Sequence, residues 1–186
     1  MVIQIARRAF NVTEYYRMIE AGILSEQDRV ELLDGEIIEM SPIGSRHAAC
    51  VDRLNHVLNR LVGQDVIVRV QNPIRLDNFS EPQPDIALLR SRPDFYAQAH
   101  PTPEDVLLVV EVADTSAEFD RAVKFPLYAE ALIQEAWLVN LQDESIEIFS
   151  HPAEGAYKQS QVRRRGENAV SPTVQNLALL VDDILT

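Results

Sequence analysis

The sequence predicts an α/β fold with a central mixed β-sheet flanked by helices. Three observations lead there. Segments with helical spacing of apolar residues alternate with short extended runs. The run "DVLLVVEVA" at 105–113 is nearly all apolar, as a central strand covered on both faces should be. Two further stretches, "RVELLDGEIIEMS" and "EAWLVNLQDESIEIFS", read as hairpins, so the sheet contains antiparallel pairs.

The elements follow in order. Residues 13–21 form a short helix, with Asn11 or Thr13 as N-cap and Gly22 at its stop. Asp34-Gly35 then separates two extended runs, a strong hairpin signal. From His47 to Val62 the apolar residues Val51, Leu54, Leu58 and Leu61 recur at helical spacing, and His47 continues their stripe. Arg46, Arg53 and Arg60 fall on the outward side of that helix as a basic row. Strands are expected at 65–76 and 85–89, and a proline-bearing surface loop with one helical turn at 92–103. After the strand at 105–113, a helix spans about 119–133, with Pro126 near its beginning or kinking it. A hairpin, a strand at "YKQSQVRR" and a closing helix at "VQNLALLVDDIL" complete the chain.

The 186 residues, 46% of them hydrophobic, suit a single domain over 1–186: an N-terminal helix and hairpin to about 45, a core over 46–150, and a C-terminal strand and helix over 151–186. The longest apolar runs are too short to cross a bilayer, and the first residues lack a signal-peptide pattern, so no membrane association and a cytoplasmic location are expected. Cys50 is the sole cysteine, which rules out an internal disulfide and a cysteine-based zinc site; it reads as core packing. The net charge of −12 argues against a protein that grips nucleic acid with its whole surface. Local basic patches remain open, at Arg46, Arg53 and Arg60 and at the "RRR" of 163–165.

Chemistry is concentrated where charge interrupts apolar runs. Asp85 stands at the mouth of the strand "IALL", and Glu111 follows "VLLVV". On adjacent strands the two carboxylates would lie side by side and repel each other unless a cation came between them. Two hard oxygen ligands with room for water suit Mg2+ or Mn2+ rather than zinc. Asp120, Lys124 and Tyr128 share one helix face, and the small Ala113 leaves room for the Lys124 ammonium to approach the carboxylates. Each residue also has a plain structural reading. Asp85 could be a turn residue, Glu111 a partner of Arg69 or Arg75, and Lys124 the surface partner of Asp120. His47 could be a core or cap histidine, Glu36 a solvated strand residue, and the arginine row a solvated helix face.

The ordered segments "LLDGEIIEMSP", His47, "VQNPIRL", "PQPDIALL", "VVEVADTS", "DRAVKFPLYAEALIQEAWLVN" and "LALLVDDIL" resemble the Uma-type family of predicted nucleases within the PD-(D/E)XK restriction-endonuclease-like superfamily. The likeness runs from about residue 10 to 185. It departs from the family pattern in the loop after Glu111 and at Asn140, where the family usually carries aspartate.

The resemblance implies a restriction-endonuclease-like core and a Mg2+-dependent endonuclease acting on DNA, with Mn2+ able to substitute. It makes Asp85 and Glu111 the metal ligands and Lys124 the active-site lysine, and it matches His47 and Glu36 to further polar positions of the site. Arg46, Arg53 and Arg60 would contact the nucleic acid, and a homodimer would present two sites to opposite strands. The alternatives are a non-catalytic interaction or regulatory module that kept the fold, and a phosphodiesterase for small nucleotides.

Overall fold

A computed structural model of the chain describes residues 7–25 and 27–185. Its centre is a six-stranded mixed sheet in the order β3-β4-β5-β6-β7-β8. The strands are β3 (Val66–Val70), β4 (Ile86–Arg90), β5 (Val106–Ala113), β6 (Glu135–Asn140), β7 (Ser145–Ala153) and β8 (Ala156–Arg164). Every neighbouring pair is antiparallel except β5 and β6. That parallel step needs a crossover, which the helical segment between the two strands supplies.

Strand alternation divides the core. Leu108, Val110 and Val112 of β5 face helix α2 (Ser45–Leu61), which contributes Cys50, Val51, Leu54 and Leu58. Val109 and Ala113 face the other way, against Phe125, Tyr128 and Ile133 of the crossover. Both faces being covered explains why β5 reads as almost uninterrupted hydrophobicity.

A smaller unit stands beside the sheet. Helix α1 (Val12–Glu20) begins with a capping box: the Asn11 side chain accepts from the Glu14 amide at 2.9 Å, and Glu14 accepts from the Asn11 amide at 3.1 Å. Such a cap contributes about 1 kcal/mol. The hairpin β1 (Val30–Leu33) and β2 (Glu36–Glu39) turns at Asp34 and Gly35, both with positive φ. A Cβ on Gly35 would meet that of Ala9 at 2.6 Å, so only glycine fits there. Leu32 packs against Val12 and Tyr15 of α1 and bridges to Glu81.

Three expectations are corrected. Among the described residues the closing helix does not form. Leu177, Leu179 and Val181 are buried at a spacing of two, Asn176 takes a left-handed φ of 62°, and the segment forms β10 (Ala178–Leu180), paired with β9 (Asn168–Val170), then a 3-10 turn at Val181–Asp183. The strand expected over 65–76 ends at Val70, because Gln71 turns left-handed (φ 49°) and Pro73 cannot donate to a ladder. The helix expected over 119–133 is three pieces: α3 (Ala117–Phe119), one π turn (Asp120–Lys124) and α4 (Phe125–Glu130). Pro126 has no N–H, and its ring would strike the carbonyl four residues back in a regular α-helix; the wider turn just before it relieves that collision.

No helix among the described residues is long and apolar enough to cross a membrane.

Candidate active site

Asp85 immediately precedes β4, beside the carboxyl end of β5. It is held from three sides. Its Oδ2 accepts from the Val112 amide at 2.9 Å and lies 3.0 Å from His47 Nε2, and its Oδ1 accepts from Gln71 Nε2 at 3.1 Å. Burial alone would raise its pKa, but the bonds from His47, Val112 and Gln71 outweigh it and hold the carboxylate below its ordinary range. His47, in the first turn of α2, is raised in turn by its bond to Asp85, against the opposing effect of burial. Its Nδ1 is buried and finds no protein partner among the described residues.

Glu111 lies on the opposite face of β5 from Val110 and Val112, the face that looks toward the crossover. Its Oε1 accepts from Lys124 Nζ at 3.2 Å and from the Tyr128 hydroxyl at 2.5 Å. The expected alignment of Asp120, Lys124 and Tyr128 holds despite the π turn, and all three are buried. Lys124 is no surface partner of Asp120: its side chain is 6% exposed. Lys124 thus comes from the turn just before Pro126.

Burial pushes the Glu111 carboxyl up to about 8, with Lys124 pulling it down and Asp120, Asp85 and Glu31 pushing it further up. The Asp120 carboxyl rises to about 6, chiefly from burial, although Lys124 and the Ser116 hydroxyl oppose the shift. For Lys124 burial disfavours the charge, yet Glu111, Glu31 and Asp120 outweigh it, so the ammonium is held above its ordinary pKa. Glu111 and Lys124 therefore both shift upward, because desolvation dominates the carboxylate while neighbouring acids dominate the amine.

Glu31 belongs to this cluster, and sequence reading missed it. It lies on β1, buried, with Oε2 3.1 Å from Lys124 Nζ and 3.0 Å from the Gln83 amide that donates to it. Between Val30 and Leu32 it reads as the solvent side of a half-buried strand. In the folded chain Leu32 faces α1 while Glu31 enters the cleft, so both faces of β1 are covered. The only available signal is that the acid alternates with the apolar residues of a hairpin preceding a cleft.

Glu36 is not brought to the cluster. It lies on β2, exposed, and pairs with Arg7 at 2.8 Å; its place opposite Leu33 at the turn end of the hairpin keeps it out of the cleft. The arginine row is divided. Arg46 turns back to the Leu141 carbonyl and to Asp114 at 3.5 Å, while Arg60 is exposed at the far end of α2. Of the 163–165 cluster, Arg165 pairs with Glu144 and Asp182.

Asp85, Glu111 and Lys124 line the base of a cleft of about 490 Å³, whose walls include Ile38, Met40, Ile43, His47 and Phe119. Four acidic side chains (Glu31, Asp85, Glu111 and Asp120) face the Lys124 ammonium and the His47 imidazole. The surplus of acids favours either protons, in line with the upward shifts of Glu111 and Asp120, or a cation. Among the described residues no three His, Cys, Asp or Glu side chains form a ready-made metal cage.

A crystal structure of a protein titled "putative nuclease belonging to DUF820", from Anabaena variabilis ATCC 29413, has the same fold, with a TM-score of 0.71 at 14% sequence identity, covering 94% of this chain and 97% of that one. No curated protein matches the chain. A family described as "putative restriction endonuclease" matches residues 12–182, which takes in α1, the hairpin carrying Glu31, both strands of the carboxylates and the crossover carrying Lys124. The chain belongs to that family, Uma2.

Proposed function

We propose that the chain is an endonuclease that hydrolyses DNA phosphodiester bonds with Mg2+, or with Mn2+ in its place. The observation that carries this reading is the buried Lys124 ammonium beside Glu111, next to Asp85, at the base of an open cleft in a chain of the Uma2 family. The surplus of carboxylates suits a hard divalent cation. Mg2+ keeps waters and takes up substrate phosphate, so two protein carboxylates are enough to hold it. Asp85 and Glu111 would hold it, and when bound it would polarise the scissile phosphate and acidify a water.

The chain's own groups do the rest. Lys124 presents positive charge to phosphate oxygens as negative charge builds on them. Asp85 is fixed by three hydrogen bonds and does not need to reorganise. His47 orients Asp85 through Nε2, while its Nδ1 is buried. Arg53 and Arg60, along α2, are the proposed contacts to flanking phosphates. A homodimer would present two such sites to the opposite strands of a duplex.

The test is cleavage of supercoiled plasmid. The wild type should nick or linearise it in Mg2+ or Mn2+ and not in chelator, and Asp85→Asn should abolish cleavage with an unchanged circular-dichroism spectrum. Full cleavage by Asp85→Asn would exclude this site. Turnover of small nucleotides without cleavage of DNA would replace DNA as the substrate.

A further inference from the structure

We propose that Glu31 is the positioning residue for Lys124, so that the N-terminal hairpin completes the active site. The inference rests on the endonuclease reading above. One oxygen, Glu31 Oε2, takes both the Lys124 ammonium at 3.1 Å and the Gln83 amide at 3.0 Å. Gln83 is two residues before Asp85, and its side-chain amide donates to the carbonyl of Gln71, whose own side chain binds Asp85 Oδ1. A single carboxylate therefore ties the reactive lysine to the segment that sets the first proposed metal ligand.

The arrangement also divides labour between two acids. Lys124 is shared between Glu111 and Glu31, with both carboxylates buried. Glu111 is itself assigned to the divalent cation, whose positive charge weakens the hold of Glu111 on the ammonium and repels the ammonium directly. Glu31 has no such second duty. It holds Lys124 at the cleft base when Glu111 is otherwise engaged. A long flexible amine would otherwise lose its fixed geometry at the moment it is needed.

The test uses the full chain with Glu31→Gln, which keeps the shape and an acceptor for the Gln83 amide but removes the charge, and Glu31→Asp as a second variant that keeps the charge. On a fluorescein-labelled DNA duplex, Glu31→Gln should lower kcat about 10- to 100-fold, with KM changed less than about threefold. Glu31→Asp should recover part of the loss. In a Lys124→Met background, Glu31→Gln should lower the residual rate no further. An active wild type with undiminished Glu31→Gln turnover, or an equal loss in the Lys124→Met background, overturns the proposal while leaving the endonuclease reading intact.

A wild type that cuts nothing overturns the endonuclease reading instead. Urea midpoints in chelator of the wild type, Glu31→Gln, Lys124→Met and the double variant then decide the pairing: non-additive shifts support the coupling of Glu31 to Lys124, and additive shifts overturn it.

Discussion

His47 Nε2 lies 3.0 Å from Asp85 Oδ2, joining the start of α2 to the start of β4 across the cleft. The histidine is raised above its ordinary 6.5 and the aspartate lowered below its ordinary 3.8. The sign follows from both shifts. The stabilisation by His47 is complete below 6.5 and fades as pH rises through its folded value, while that by Asp85 is complete above 3.8 and fades as pH falls through its folded value. The imidazole should titrate by NMR with a midpoint above 6.5, returning toward the ordinary value in Asp85→Asn. An unchanged midpoint would mean that the pair does not form in solution.

Glu111 should make the protein less stable as pH rises. Its folded pKa of about 8 exceeds the ordinary 4.5, so between those values the native state holds a proton that the unfolded chain has released. Stability falls across that window by up to about 1.4 kcal/mol per pH unit from this group alone. Glu111→Gln mimics the protonated form. Its urea midpoint should match the wild type near pH 4 and exceed it near pH 9.

Metal uptake should release protons. A cation at Asp85 and Glu111 must displace the proton that Glu111 holds, so Mn2+ affinity measured by calorimetry should tighten with pH up to about 8 and then level off. The heat should vary with the ionisation enthalpy of the buffer. In Asp85→Asn the uptake should disappear.

Lys124→Met should be costly twice. Removing the ammonium leaves the buried Glu31 without its cation, and breaking such a buried pair typically costs about 3–5 kcal/mol. The rate of DNA cleavage should fall about 100- to 1,000-fold. Lys124→Arg should recover stability more than rate, because the larger planar head cannot occupy the same point between two carboxylates.

Leu54→Ala should act on stability alone. Leu54 is fully buried in α2 against Val110 and Trp137 of the central sheet, away from the cleft. Chemical denaturation should register a loss of about 2–5 kcal/mol, with cleavage at low temperature unchanged.

What could be read from the sequence follows from where charge meets hydrophobicity. Asp85 and Glu111 were legible because each interrupts an apolar run, and Lys124 because it aligns with Asp120 and Tyr128. Glu31 was not, since alternation in a short hairpin does not reveal whether the second face meets water or another unit. Glu36 shares that face of the hairpin but stands at its turn end, beyond the cleft, where it pairs with Arg7. The segment around Leu177, Leu179 and Val181 fits helix and strand spacing alike over so short a stretch, and only the left-handed Asn176 decides between them. The π turn was foreshadowed by Pro126, although sequence could not distinguish a kink from a widened turn.

The Glu31–Lys124 contact joins two points far apart along the chain, and this bears on the order in which the protein comes to life. During synthesis the hairpin emerges early, Asp85 and Glu111 follow, and the crossover that delivers Lys124 comes last of the four. A nascent chain can form α1, the hairpin and α2 from local contacts, whereas bringing the lysine to its two acids needs the late, long-range closure of the crossover onto β5. A chain still short of its crossover therefore carries Glu31, Asp85 and Glu111 but neither Asp120 nor Lys124, and so lacks the ammonium that joins Glu31 to Glu111.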